Sequence, residues 1–142
     1  MPHAGQEIHG PDGYLLRLVQ TGDETGGELL EMEATYPGNG ALPPEHLHPT
    51  QDERFEVLEG AVRTIVDGDE RHYGTGEQFT VPAGTKHQMT GDGPARIRWE
   101  VRPAMRTAEF FEHLYGDGPD SAQAAESPTG FLAEFSAEIR FT

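Results

Sequence analysis

The stretch Gly40-Ala-Leu-Pro-Pro-Glu-His46-Leu-His48-Pro-Thr-Gln-Asp-Glu53-Arg-Phe-Glu-Val-Leu-Glu-Gly60 decides how this chain is read. Side chains alternate along an extended backbone, so His46 and His48 point to the same side of one strand. Two imidazoles so placed can bind one ion. Pro49-Thr50-Gln51-Asp52 interrupts that strand, and Glu53 can return on the next, with Phe55 and Val57 on its face. A third nitrogen donor stands at His87, after the turn Pro82-Ala83-Gly84-Thr85-Lys86. Three imidazoles and a carboxylate form a borderline-hard site, suited to one divalent transition metal (Fe, Mn, Ni, Co, Cu or Zn) rather than to Ca or Mg.

Outward from that stretch the period of two continues. In Glu28–Tyr36, Leu30, Met32, Ala34 and Tyr36 share one face and Leu29, Glu31, Glu33 and Thr35 the other, the pattern of a half-buried strand. Tyr14–Val19 reads as a first strand after an arm over residues 1–13, and residues 21–27 read as a turn. Further strands are predicted over 45–49, 53–59, 61–66, 70–73, 78–81, 86–90 and 95–102. Asp67-Gly68 between two of them is a hairpin signal. Ile97, Trp99 and Val101 alternate with Arg96, Arg98 and Glu100 and should face inward. Many short strands at regular turns predict an all-β sandwich or barrel.

After Pro103 the period changes. Met105, Ala108, Phe111 and Tyr115 fall on one face of a helix over 104–115, residues 116–130 read as a linker, and Phe131, Leu132, Phe135 and Ile139 fit a second short helix. The chain therefore divides into a β domain with its arm, 1–103, and a helical C-terminal extension, 104–142. The two helices are expected to pack on the β domain or on a partner subunit; a lid over the cavity mouth is the alternative.

The chain has 142 residues, enough for one domain with one core. It lacks cysteine, which excludes disulfides, thiolate ligands and thiol nucleophiles. Its net charge of −15 would be repelled by a phosphate backbone, so nucleic acid is not an expected partner. No apolar run approaches the length of a membrane span, and MPHAGQEIHG does not read as a signal peptide. The expectation is a soluble, cytoplasmic protein with no membrane partner.

Residues 40–60 resemble the first motif of the cupin family: Gly, five residues, His-x-His, four residues, Glu, six residues, Gly. Residues 76–91 resemble the second, with Gly76, Pro82, Gly84 and His87 in place and Gly91 where the family has Asn. Fifteen residues separate Gly60 from Gly76, as in small single-domain bacterial cupins. The resemblance covers about residues 28–102. It implies a double-stranded β-helix, a jelly-roll barrel with His46, His48, Glu53 and His87 around one metal ion, and a helical C-terminal extension. Small cupins often pair through edge strands and the N-terminal arm, so a homodimer is expected.

Phe55, Val57, Ile65, Phe79, Met89 and Trp99 are the candidates for a substrate pocket, although core packing explains each about as well. His3, His9 and His72 read as surface residues and His113 as a solvated or capping residue. Glu56 is an odd number of residues from Glu53, so a regular strand turns it away from the metal. Four protein ligands leave one or two positions open on a five- or six-coordinate metal, which is what catalysis needs. The leading expectation is a metal-dependent enzyme acting on a small organic substrate, a dioxygenase or a cyclase or isomerase of secondary metabolism. A non-catalytic ligand-binding or sensory module and a storage-like cupin are the alternatives. No residue is assigned as acid or base.

Overall fold

The computed structural model describes residues 2–38, 41–115 and 133–142. Among them two sheets carry the fold. The first contains β1 (Glu7–His9), β2 (Leu15–Gln20), β3 (Leu30–Tyr36), β5 (Asp52–Glu59), β8 (Gln78–Val81) and β10 (Ala95–Arg102), in the order β1-β2-β3-β10-β5-β8. The second contains β4 (His46–Leu47), β6 (Ala61–Val66), β7 (Asp69–Gly74), β9 (His87–Gly91) and β11 (Arg140–Phe141), in the order β11-β4-β9-β6-β7. All pairings are antiparallel. The arrangement is a two-sheet sandwich of jelly-roll type. No closed barrel forms among the described residues, because the two sheets remain separate ladders.

The alternation read from the sequence sets the core. Leu30, Met32 and Ala34 of β3 lie fully inside, and β10 sets Ile97, Trp99 and Val101 beside them in register, Trp99 opposite both Met32 and Phe55. The opposite face of the same strands carries charge: Arg98 pairs with Glu31 at 2.9 Å and Arg96 with Glu59 at 3.0 Å. One sheet face is thus apolar and the other wet, as an antiparallel sheet allows. Asp67 (φ 51°) and Gly68 (φ 80°) form the two-residue loop between β6 and β7, with Val66 opposite Asp69. Two consecutive left-handed residues match the strand twist, which is why Asp-Gly favours this hairpin.

Several elements differ from expectation. Residues 21–27 are not a plain turn: Gly22–Thr25 form a short helix, α1, closed by a capping box between Thr21 and Glu24. The N-terminal arm contributes β1, paired with β2. The predicted strand 45–49 shrinks to β4, because Pro49 removes a ladder donor. The first C-terminal helix is present as α2, Thr107–Tyr115, with Phe110 and Phe111 buried. The predicted linker lies outside the described residues. Of the expected second helix, residues 131 and 132 lie outside the described residues, 133 and 134 are helical and 135–138 are turns. The chain then becomes β11 and pairs with β4, Phe141 opposite His46. Phe135 and Ile139 are buried, and the Ile139 N–H donates to the Phe135 carbonyl at 3.0 Å.

Candidate metal centre

Both sheets contribute to one cluster. His46 lies in β4 and His48 directly after it, their rings 5.3 Å apart, and β9 sets His87 directly opposite His46. One ring nitrogen from each of the three histidines lies within 4.8 Å of the others. Glu53 approaches from β5 in the facing sheet: its Oε1 is 2.8 Å from His87 Nε2 and 3.2 Å from His48 Nε2. Glu53 is 1% exposed, His48 3% and His87 5%.

The outer nitrogens orient the rings. Nδ1 of His46 bonds the Pro44 carbonyl at 3.0 Å, that of His87 the Thr85 carbonyl at 2.9 Å, and that of His48 the Glu138 carbonyl at 2.7 Å. A carbonyl only accepts, so each Nδ1 carries a proton, and Nε2 is the nitrogen each ring can offer to a metal. Such bonds to the far nitrogen are how ligating histidines are held. The other oxygen of Glu53, Oε2, accepts the indole N–H of Trp99 at 2.7 Å.

The site therefore brings potential metal donors face to face. His48 Nε2 and Glu53 Oε1 are buried without a hydrogen-bond partner. A buried carboxylate costs several kcal/mol unless a cation offsets it. Two donors about 2.1 Å from one ion and at right angles lie about 3.0 Å apart, close to the separations seen here. The three histidines could hold a divalent metal ion, and the Glu53 carboxylate lies beside two of them.

Electrostatics agree. Burial, then the neighbouring His87, lowers the pKa of His46 to about 4, so its ring is neutral at physiological pH. Burial alone would raise Glu53 and lower His48. The two imidazoles beside Glu53 outweigh its burial and hold the carboxyl well below the usual range, while the carboxylate raises His48. Glu53 is thus ionised.

The cluster forms part of the wall of a cavity of about 500 Å³. Phe55, Met89 and Trp99 line it, but Val57, Ile65 and Phe79 do not. Val57 is packed into the core, Ile65 alternates away from buried Val62 and Thr64, and Phe79 lies behind Phe55, stacked against it at 4.9 Å. The remaining wall comes from residues no motif marks: Tyr14, Tyr36, Phe110, Phe111, Leu114, Tyr115, Ile139 and Phe141 among them. The helix α2 is thereby both packed on the sheet and part of the cavity wall. His72 is exposed between Glu70 and Asp92, away from the cluster. Glu56 faces Arg98 on the outer side.

Residues 32–101 match the family model described as Cupin domain. With the two-sheet fold, this identifies residues 32–101 as a cupin domain. Among curated proteins, it is 29% identical over 75 residues to Quercetin 2,3-dioxygenase of Bacillus subtilis (strain 168), covering 53% of this chain and 22% of that protein. It is 30% identical over 88 residues to Tetracenomycin polyketide synthase protein TcmJ of Streptomyces glaucescens, covering 61% of this chain and 57% of that protein. Among solved structures, an RmlC-like cupin from Shewanella frigidimarina NCIMB 400 superposes with a TM-score of 0.61 at 19% identity, covering 72% of this chain and 87% of the other. The chain spans well under two thirds of both curated relatives.

Proposed function

We propose that this protein is a metal-dependent enzyme that acts on a small, oxygen-bearing organic substrate, as a dioxygenase or as a cyclase or isomerase of secondary metabolism. The observation that carries the reading is the convergence of three imidazole rings and one ionised carboxylate oxygen in the wall of a largely apolar cavity. The name of one curated relative supplies the dioxygenase class, and that of the other a setting in polyketide synthesis.

When bound, a divalent metal would supply an open coordination position and Lewis-acid or redox chemistry. The chain's own residues do the rest. His46, His48 and His87 present Nε2 in fixed orientations because carbonyls hold their Nδ1–H groups. Trp99 fixes the free rotation of Glu53 through Oε2. Phe55, Met89, Phe110 and Phe111 exclude water from a substrate seated against the cluster. In the same reading the protein is cytoplasmic and pairs as a homodimer through an edge strand and the N-terminal arm.

Metal analysis of the purified protein by plasma mass spectrometry, beside a His87→Ala variant, tests the site. One equivalent of a transition metal, lost in the variant, supports it. No metal in either protein after incubation with each candidate ion would overturn it. Turnover abolished by chelation and restored by one particular metal separates an enzyme from a binding module, and the solution mass tests the dimer.

A further inference from the structure

The same cavity gathers three tyrosines from three elements. Tyr14 precedes β2, Tyr36 ends β3 and Tyr115 ends α2, and all three line the cavity. The ring of Tyr14 lies 5.4 Å from that of Tyr36 and 5.6 Å from that of Tyr115. Among the described residues none of the three hydroxyls has a hydrogen-bond partner. The three residues are half-buried, so these hydroxyls are open to the cavity or to solvent. Gly91 packs against this cluster: a Cβ there would stand 2.8 Å from Tyr36 Cβ. The absence of a side chain at 91 leaves Tyr36 its place.

Burial raises the pKa of all three phenols; Tyr36 and Tyr115 add to it at Tyr14, and Tyr115 and the Glu53 carboxylate add to it at Tyr36. Each hydroxyl therefore keeps a proton to donate. Among the described residues the lining contains neither Arg nor Lys, so a phosphorylated or polyanionic ligand meets no Arg or Lys from them. Aromatic rings dominate instead: Phe55, Trp99, Phe110 and Phe111 join the tyrosines. The volume suits a ligand of two or three fused rings, since such pockets run from roughly 300 to 1,000 Å³.

We propose that Tyr14, Tyr36 and Tyr115 form a second polar subsite, donating hydrogen bonds to a carbonyl or hydroxyl oxygen of an uncharged, oxygenated polycyclic aromatic ligand whose other end faces His46, His48, Glu53 and His87. This deepens the reading above and rests on it only for what happens at the histidine end.

Trp99 is the only tryptophan in the chain and lines the cavity, so its fluorescence reports occupancy directly. The purified protein is titrated with 1,8-dihydroxyanthraquinone, with naphthalene and with glucose 6-phosphate. The quinone should quench Trp99 saturably, and glucose 6-phosphate should not. Tyr36→Phe and Tyr115→Phe should each weaken quinone binding about tenfold, the worth of one hydrogen bond of about 1.4 kcal/mol. Naphthalene has no oxygen; its unchanged binding shows that each variant keeps a folded cavity. Quinone affinity equal in the parent and in the triple Phe variant would overturn the proposal, as would binding of the sugar phosphate in preference to the quinone. Metal content separates the two readings. Failure of the metal site leaves the protein empty while the Phe variants still lose the quinone; failure of the tyrosine subsite leaves metal bound and quinone affinity untouched.

Discussion

His48 donates its Nδ1–H to the main-chain carbonyl of Glu138 across 2.7 Å, although the two are 90 residues apart in the chain. The C-terminal segment is thus a support of the candidate metal centre. It is itself anchored by buried Phe135 and Ile139 and by the pairing of β11 with β4. Deleting residues 138–142 should lower metal affinity by about 10- to 100-fold, the usual worth of a partner to the far nitrogen of a ligating histidine. Competition against a chromogenic chelator would measure it; unchanged affinity in a folded truncation would show that Glu138 holds nothing.

Trp99 is the donor to Glu53 Oε2. Trp99→Phe leaves that buried carboxylate oxygen without a partner, which should cost about 1.5–3 kcal/mol of stability in the metal-free protein. Urea unfolding in the presence of a chelator, followed by circular dichroism, checks this. A loss below about 0.5 kcal/mol would mean that the indole only packs.

Among the four donors the histidines should matter most. His46→Ala and His87→Ala should lose most of the bound metal, whereas Glu53→Ala, which leaves three imidazoles, should retain a weakened site. Full occupancy in His46→Ala would place the metal elsewhere.

Acid should destabilise the metal-free protein in two stages. The pKa of His46 falls from 6.5 to about 4 on folding. The unfolded chain therefore takes up that proton first, and stability is lost as pH drops through this interval. His48, raised on folding, works the other way: its contribution is present below the unfolded value and lost as pH rises through the folded one. Glu53, lowered on folding, contributes fully above about pH 4.3, the unfolded value, and loses that contribution as pH falls further. His46→Gln removes only the first slope. Its urea midpoint should decline less than the parent's between about pH 6.5 and pH 4; parallel declines would contradict the assignment.

Gly91 stands where the family motif has Asn, and a Cβ at this position would lie 2.6 Å from the Gly93 carbonyl oxygen and 2.8 Å from Tyr36 Cβ. Gly91→Ala should cost about 1–3 kcal/mol as overpacking. Thermal unfolding is the readout, and a neutral effect would show that Tyr36 can retreat freely.

Much of this molecule was legible locally. Alternation in β3 and β10, the Asp67-Gly68 hairpin and the spacing of His46, His48, Glu53 and His87 are properties of short segments, in which backbone geometry dictates where side chains point. Other features had no local signature. The spacing of Phe135 and Ile139 suits a helical face equally well, so it could not announce a turn and a return to β4. Val57, Ile65 and Phe79 have the composition of a pocket wall, yet the register of the sheets sets them elsewhere.

The sequence by itself determined the cupin class and which four side chains could share an ion, because the class rests on motif spacing and the donor set on residue chemistry and strand alternation. Only the tertiary structure decided that Glu138 braces His48, that Trp99 secures Glu53 and that Tyr14, Tyr36 and Tyr115 meet in one cavity. Those contacts join residues far apart in the chain, and such distances close only when the two sheets and α2 pack around a common core.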